Sequence, residues 1–169
     1  MNSTGLLVEA FVRVREDVHH VLEGLTAEQV AFRVDAEANS IAWLVWHLTR
    51  VQDDHVAAVA GAEQVWTSEG WFGRFGLPLD AKATGYGHQS DEVAAVRVES
   101  ADLLADYYDA VHERTLKFVE QLTDPDLDNV VDRRWDPPVT LGVRLVSVIT
   151  DDLQHAGQAA FIRGVALRR

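Results

Sequence analysis

Asp151 and His155 stand four residues apart in a stretch, from about Thr140 to Arg163, whose apolar residues recur three and four apart. On a helix that spacing puts both side chains on one face, one turn apart, where they can grip a single ion. The flanking segments, Leu145 to Ile149 and Ala159 to Ile162, are largely apolar. A carboxylate facing a core without a partner is costly or is forced to protonate, and a cation would supply the partner. His47 lies in Trp43-Leu44-Val45-Trp46-His47-Leu48, three residues after Leu44 and four before Val51, and so shares an apolar helical stripe. Facing helices of a bundle build metal sites from such inward polar residues. One carboxylate and two neutral imidazoles would leave a divalent ion with a net charge of about +1 and an open position, the arrangement of catalytic zinc. From pattern alone a second reading stands beside this one: a satisfied core histidine, and an Asp and His that simply hydrogen-bond to each other.

Other side chains fall near these three. Gln154, Asp152 and Gln158 could orient the imidazoles, with Asp152 expected to face solvent because it lies about 100° around the helix from Asp151. Asp54, two turns beyond His47, is read as an interhelical salt-bridge partner, with roles as an alternative ligand or ligand support left open. His55 and His112 are assigned structural or surface roles, and His19-His20 a solvated face. His88, in Gly85-Tyr86-Gly87-His88, could reach the site as an acid or base, against the reading of a mobile loop histidine. Trp43 and Trp46 are read as core packing, and Trp71 and Phe72 as possible pocket walls. Arg50 and Arg144 could bind a carboxylated substrate or pair with nearby acids.

Four amphipathic helices must position these residues. The first spans about Ser3 to Leu22, stopped at Gly24, and the second runs from a cap at Asn39 or Ser40 to about Ala60, before Gly61. The third runs from Ser100 to about Leu122, ended by Asp124-Pro125. The fourth is capped by Thr140 and is expected to end near Arg163, before Gly164. Thr26 and Gln29 have capping-box spacing, which predicts a short turn of helix over Thr26 to Ala31. Ala62 to Glu99, rich in glycine and aromatic residues, is too long for a bundle turn and reads as a loop over a site, with a short helix near Asp91 to Arg97. Val130, Val131 and Trp135 suggest an extended segment between the last two helices.

The chain has 169 residues, 47% hydrophobic and 25% charged, which fits one core and a single domain over residues 1–169. A net charge of −12 opposes nucleic-acid binding, which needs clustered Lys and Arg. With no cysteine, disulfides, thiolate ligands and a cysteine nucleophile are excluded, leaving His, Asp and Glu as ligand types. No signal-peptide pattern and no membrane-length apolar run are present, so a cytoplasmic protein without a membrane partner is expected. An exposed apolar helix face would permit a homodimer.

The segment Asn39-Ser40-Ile41-Ala42-Trp43-Leu44-Val45-Trp46-His47-Leu48 resembles the second-helix signature of the DinB-like superfamily. Asp151-Asp152-Leu153-Gln154-His155-Ala156-Gly157-Gln158 resembles its closing metal motif. The resemblance implies an all-α fold, a DinB-like four-helix bundle with a long loop between helices 2 and 3. It also implies a divalent ion, zinc or nickel, held by His47, Asp151 and His155. Many members have histidine where Asp151 stands. The mycothiol-dependent maleylpyruvate isomerase branch has glutamate there, closer in charge though longer. That branch implies an S-transferase or isomerase that brings a low-molecular-weight thiol to a small electrophilic substrate, and with no cysteine in the chain the thiol would arrive as a cosubstrate. The alternative is a non-catalytic, stress-associated bundle that binds a metal or small molecule.

Overall fold

A computed structural model describes residues 1–169. Each long helix begins where a polar side chain satisfies an otherwise unpaired backbone N–H of the first turn. Asn2 accepts from Gly5 N at the start of α1 (Ser3–Leu22). A short α2 (Ala27–Val30) opens on the expected Thr26–Gln29 capping box. Ser40 accepts from Trp43 N at α3 (Ile41–Ala60), which ends at Gly61 in the left-handed conformation, φ 63°. After the short helices α4 (Val65–Ser68), α5 (Trp71–Phe75) and α6 (Ser90–Ala95), Ser100 caps α7 (Ala101–Val119). A 3₁₀ turn (Asp124–Asp128) leads to β1 (Val130–Asp132), which pairs antiparallel with β2 (Val139–Thr140). Thr140 then caps α8 (Leu141–Ala166).

The four long helices form a ring. α1 packs on α7 and α8, and α3 packs on the same two, so α1 lies diagonal to α3 and α7 diagonal to α8. His47 meets His155 while His55 meets Arg144, so α3 and α8 run antiparallel along one seam. The main core gathers Val14, Val18, Leu44, Trp46, Leu104 and Tyr107, all fully or almost fully buried. A smaller cluster around Phe11, Val119, Leu145 and Val148 closes the other end.

Three expectations are revised. The segment Ala62–Glu99 is folded: besides α6 it contains α4 and α5, whose Trp66, Trp71 and Phe75 join the main core. Trp71 is therefore a packing residue rather than an open pocket wall, and Phe72 is the partly exposed member of the pair. α8 does not stop before Gly164 but continues to Ala166, because Ile162 and Ala166 still have a core to bury against.

Anchoring of that segment comes from two charged residues on the interior of α3. Arg50 is fully buried and Asp53 nearly so, with their charged groups 3.6 Å apart. Asp53 accepts from Val65 N and Trp66 N at 2.8 Å each and from the Tyr107 hydroxyl at 2.9 Å. Arg50 donates to Gln64 Oε1 at 2.7 Å and to the Ala83 carbonyl at 3.1 Å. Burial pushes the Asp53 carboxyl up, against these hydrogen bonds and Arg50. The pair thus ties both the beginning and the middle of the covering segment to α3, and Arg50 is a structural cation rather than a substrate anchor.

Candidate metal centre

The seam between α3 and α8 brings His47, Asp151 and His155 together, with one possible ligand atom of each lying within 4.8 Å of the others. His47 comes from the middle of α3 and the other two from successive turns of α8. The His47 and His155 rings meet edge to face with centroids 4.8 Å apart, and His155 Nε2 is 3.6 Å from Asp151 Oδ1.

Each imidazole is oriented through its other nitrogen. His47 Nδ1 lies 2.5 Å from the Thr84 carbonyl oxygen and His155 Nδ1 lies 3.0 Å from Gln158 Oε1. Both partners are carbonyl oxygens and can only accept, so each Nδ1 carries a proton, and in the neutral form each ring presents the lone pair of Nε2. Burial pushes the His47 imidazole below its ordinary pKa, and the neighbouring His155 adds to that, while the Thr84 carbonyl opposes it. His47 is therefore neutral at pH 7, the form that ligates.

The carboxylate supplies the clearest sign of a missing partner. Asp151 Oδ2 is buried without any hydrogen bond, in the same cluster as the two imidazoles. Buried carboxylate oxygens are ordinarily paired, because desolvation without compensation is expensive. A cation among these three groups would satisfy it, so the donor set fits a divalent ion: two neutral nitrogens, one carboxylate and room for a further ligand.

Trp43 forms the wall of the site. It stacks on His47 at 4.6 Å and meets His155 edge-on at 6.2 Å, while its Nε1 donates to His88 Nδ1 at 3.1 Å. His88 in turn stacks on Trp46 at 5.8 Å. It is thus a packed residue, not a loose loop histidine. Since Nδ1 accepts from the indole, the neutral ring carries its proton on Nε2, and His88 offers a donor rather than a free base.

Other expectations separate. Gln158 does orient a candidate ligand, whereas Gln154 is exposed. Asp152 does not face solvent: it is fully buried, neither of its oxygens has a partner, and burial next to Asp151 raises its pKa well above the usual carboxylate range. The turn of α8 that aims Asp151 at the seam rotates Asp152 into the bundle, because α8 is covered by both α1 and α3. Asp54 makes no interhelical salt bridge; it accepts from Gln64 at 2.7 Å and lies 4.0 Å from His55 on its own helix. His112 is buried, and His19 pairs with Asp109 at 2.8 Å. Arg144 pairs with Asp132 at 3.1 Å.

Sequence reasoning missed Thr84 and Gly85. Gly85 has φ +98°, and a Cβ there would lie 2.5 Å from His47 Nδ1 and 3.1 Å from Trp43 Cζ2, so only glycine lets the backbone lie against the ligand ring. The two glycines around Tyr86 were the available signal. A backbone carbonyl as partner leaves no trace in side-chain identity.

Two imidazoles and a carboxylate contributed by the second and last long helices of such a bundle define a DinB-like protein. Residues 6–166 match the family model described as Mycothiol-S-transferase, and the chain belongs to that family. It is also similar to a solved structure, the crystal structure of a conserved protein from Enterococcus faecalis. The two share 32% identity over 100% of this chain and 99% of that one, with a TM-score of 0.93. Among curated proteins none matches. No helix is long and apolar enough to cross a membrane.

Proposed function

We propose that His47, Asp151 and His155 hold a divalent ion, zinc or nickel, and that the protein transfers a low-molecular-weight thiol to a small electrophile. The observation that carries this reading is the convergence of two imidazoles and a carboxylate, one possible ligand atom of each within 4.8 Å of the others, together with a buried Asp151 Oδ2 that has no hydrogen-bond partner. Membership of the Mycothiol-S-transferase family supports the reaction class and a small-molecule substrate. When bound, such an ion lowers the pKa of a thiol at its open position and stabilises the anion as nucleophile.

The chain's own residues supply position and environment. Thr84 and Gln158 fix which nitrogen each histidine presents. Trp43 excludes water from one side of both rings. The thiol comes as a cosubstrate because the chain has no cysteine. Transfer by addition forms a sulfur–carbon bond as a π bond of the electrophile opens, and the proton lost from the thiol is delivered, directly or through solvent, to the anion that opening creates. His88 Nε2–H is a donor beside Trp43 and Trp46, suited to an anionic oxygen of the acceptor. Next to Gln158 lies a concavity of about 560 Å³ walled by Val34, Leu44, Phe161 and Ile162, suited to the apolar part of an electrophile.

The test is metal analysis of purified protein together with a transfer assay using mycothiol-type thiols and a fluorogenic electrophile. About one divalent ion per chain, lost in His47→Ala along with turnover, is the expected result. A folded protein that takes up neither zinc nor nickel refutes it. Tight ligand binding without turnover in the metal-loaded protein points instead to a non-catalytic binder.

A further inference from the structure

A second concavity, of about 490 Å³, opens on the same α3–α8 seam between His55, Arg144 and the β1 turn that carries Arg133 and Arg134. Seven residues separate Arg144 from Asp151 on α8, and eight separate His55 from His47 on α3. At 1.5 Å per residue the cationic groups lie about 10–12 Å along the seam from the candidate metal centre. Seven residues also complete nearly two turns, so Arg144 and Asp151 project from one face.

The chemistry of this concavity is almost entirely donor. Arg144 Nη1 is 3.4 Å from His55 Nδ1, and a guanidinium has no acceptor, so that nitrogen holds a lone pair and His55 turns an Nε2–H outward. Burial and Arg144 both lower the His55 pKa, which keeps the ring neutral at pH 7. Asp132 is occupied by Arg134 at 2.7 Å and Arg144 at 3.1 Å, and Asp54 accepts from Gln64. Arg133 is exposed and joins no ion pair. Three guanidiniums therefore face two carboxylates, of which Asp132 is ion-paired and Asp54 has only an amide partner, a local surplus of one positive charge on a chain of net charge −12.

We propose that this concavity is a subsite for the carboxylate end of a small molecule whose reacting end lies at His47, Asp151 and His155. The subsite deepens the transferase reading and rests on it. The spacing matches an extended molecule about three amino-acid residues long. The carboxylate belongs either to the thiol or to its electrophilic partner. Arg144 and Arg133 receive it, with the His55 Nε2–H as a third donor.

Calorimetric titration tests this with three probes: glutathione, a carboxylated thiol; maleate, a carboxylate without a thiol; and 2-mercaptoethanol, a thiol without a carboxylate. Each is titrated into metal-free and zinc-loaded protein and into Arg133→Gln and Arg144→Gln. Binding of a carboxylated probe should weaken about tenfold or more in both variants, while binding of 2-mercaptoethanol to zinc-loaded protein stays unchanged. Arg133→Gln breaks no ion pair, so its fold is preserved even if Arg144→Gln loosens β1. Zinc-enhanced glutathione binding that weakens in Arg133→Gln assigns the carboxylate to the thiol; zinc-enhanced glutathione binding that Arg133→Gln leaves unchanged, with maleate binding weakened, assigns it to the partner. The proposal is overturned if no carboxylated probe binds, or if both variants bind it as wild type does. A chain that takes no zinc yet binds maleate through Arg133 refutes the transferase reading and leaves the anion subsite standing.

Discussion

Replacing Gly85 with alanine attacks the site from the covering segment while leaving all three candidate ligands in the sequence. Two costs arise. The first is conformational: φ of +98° is a region L-residues rarely adopt, worth about 1–3 kcal/mol. The second is steric and specific. The new Cβ would lie 2.5 Å from His47 Nδ1, 3.1 Å from its Cγ and 3.1 Å from Trp43 Cζ2. Neither ring can retreat, since both are almost fully buried and stacked on each other at 4.6 Å. The backbone must move instead, carrying the adjacent Thr84 carbonyl away from His47 Nδ1. Loss of such a partner to a ligating histidine costs about 10–100-fold in metal affinity. Gly87→Ala is the matched control, because Gly87 has φ +76° but a Cβ there meets nothing within 4 Å. Denaturant unfolding of the metal-free proteins and zinc affinity by chelator competition give the two readouts. Gly85→Ala should lose more stability than Gly87→Ala and should alone lose about tenfold or more in zinc affinity. Equal stability losses with wild-type zinc affinity in both would refute the argument.

Three further outcomes follow from the same geometry. Gln158→Leu removes the acceptor for His155 Nδ1 at an exposed position, so zinc affinity should fall about 10–100-fold while the melting temperature of the metal-free protein barely moves. Asp53→Asn leaves Arg50 buried beside a neutral amide, and urea titration should show a loss of about 3–5 kcal/mol, comparable to breaking other buried ion pairs. Asp152 has a raised pKa in the folded state, so above pH ~3.9 the native protein binds more protons than the unfolded chain and stability falls as pH rises toward the folded pKa. Asp152→Asn should make that fall shallower, leaving the part due to the buried Asp53, with unfolding followed from pH 4 to pH 8; an unchanged slope would show that Asp152 does not contribute to it.

Most of the frame was legible in the sequence because it rests on local physics. The caps at Ser40, Ser100 and Thr140 and the stop at Gly61 mark helix ends to within a residue or so, whereas α7 ends at Val119, short of the expected Leu122, and α8 runs past Arg163 to Ala166. The convergence of His47 with Asp151 and His155 was also legible, through helical spacing joined to an ordered family signature. Less visible was anything decided by what covers a helix. Asp152 looks solvent-facing on a two-faced helix, but α8 is covered on two sides, and periodicity does not report the second cover. Arg50 likewise stood open between binding a substrate and pairing with an acid, and its burial with Asp53 is decided by α4 and Tyr107 closing over them. The helices α4 and α5 are short and glycine-flanked, with too few turns to establish a period.

The two imidazoles depend on very different partners, and this sets how the site can fail. His155 is oriented by Gln158, three residues further along its own helix, so that half forms whenever α8 forms. His47 is oriented by Thr84, which is distant in sequence and is placed only when the segment after α3 has folded down. That folding is governed in turn by Arg50 and Asp53, which hold Gln64, Val65 and Trp66 at the beginning of the segment and Ala83 in its middle. Ala83 immediately precedes Thr84. The buried ion pair therefore lies one turn from His47 in sequence and acts on it through the covering backbone. A chain with intact helices but an undocked segment would keep its helical content and still present His47 with no fixed tautomer.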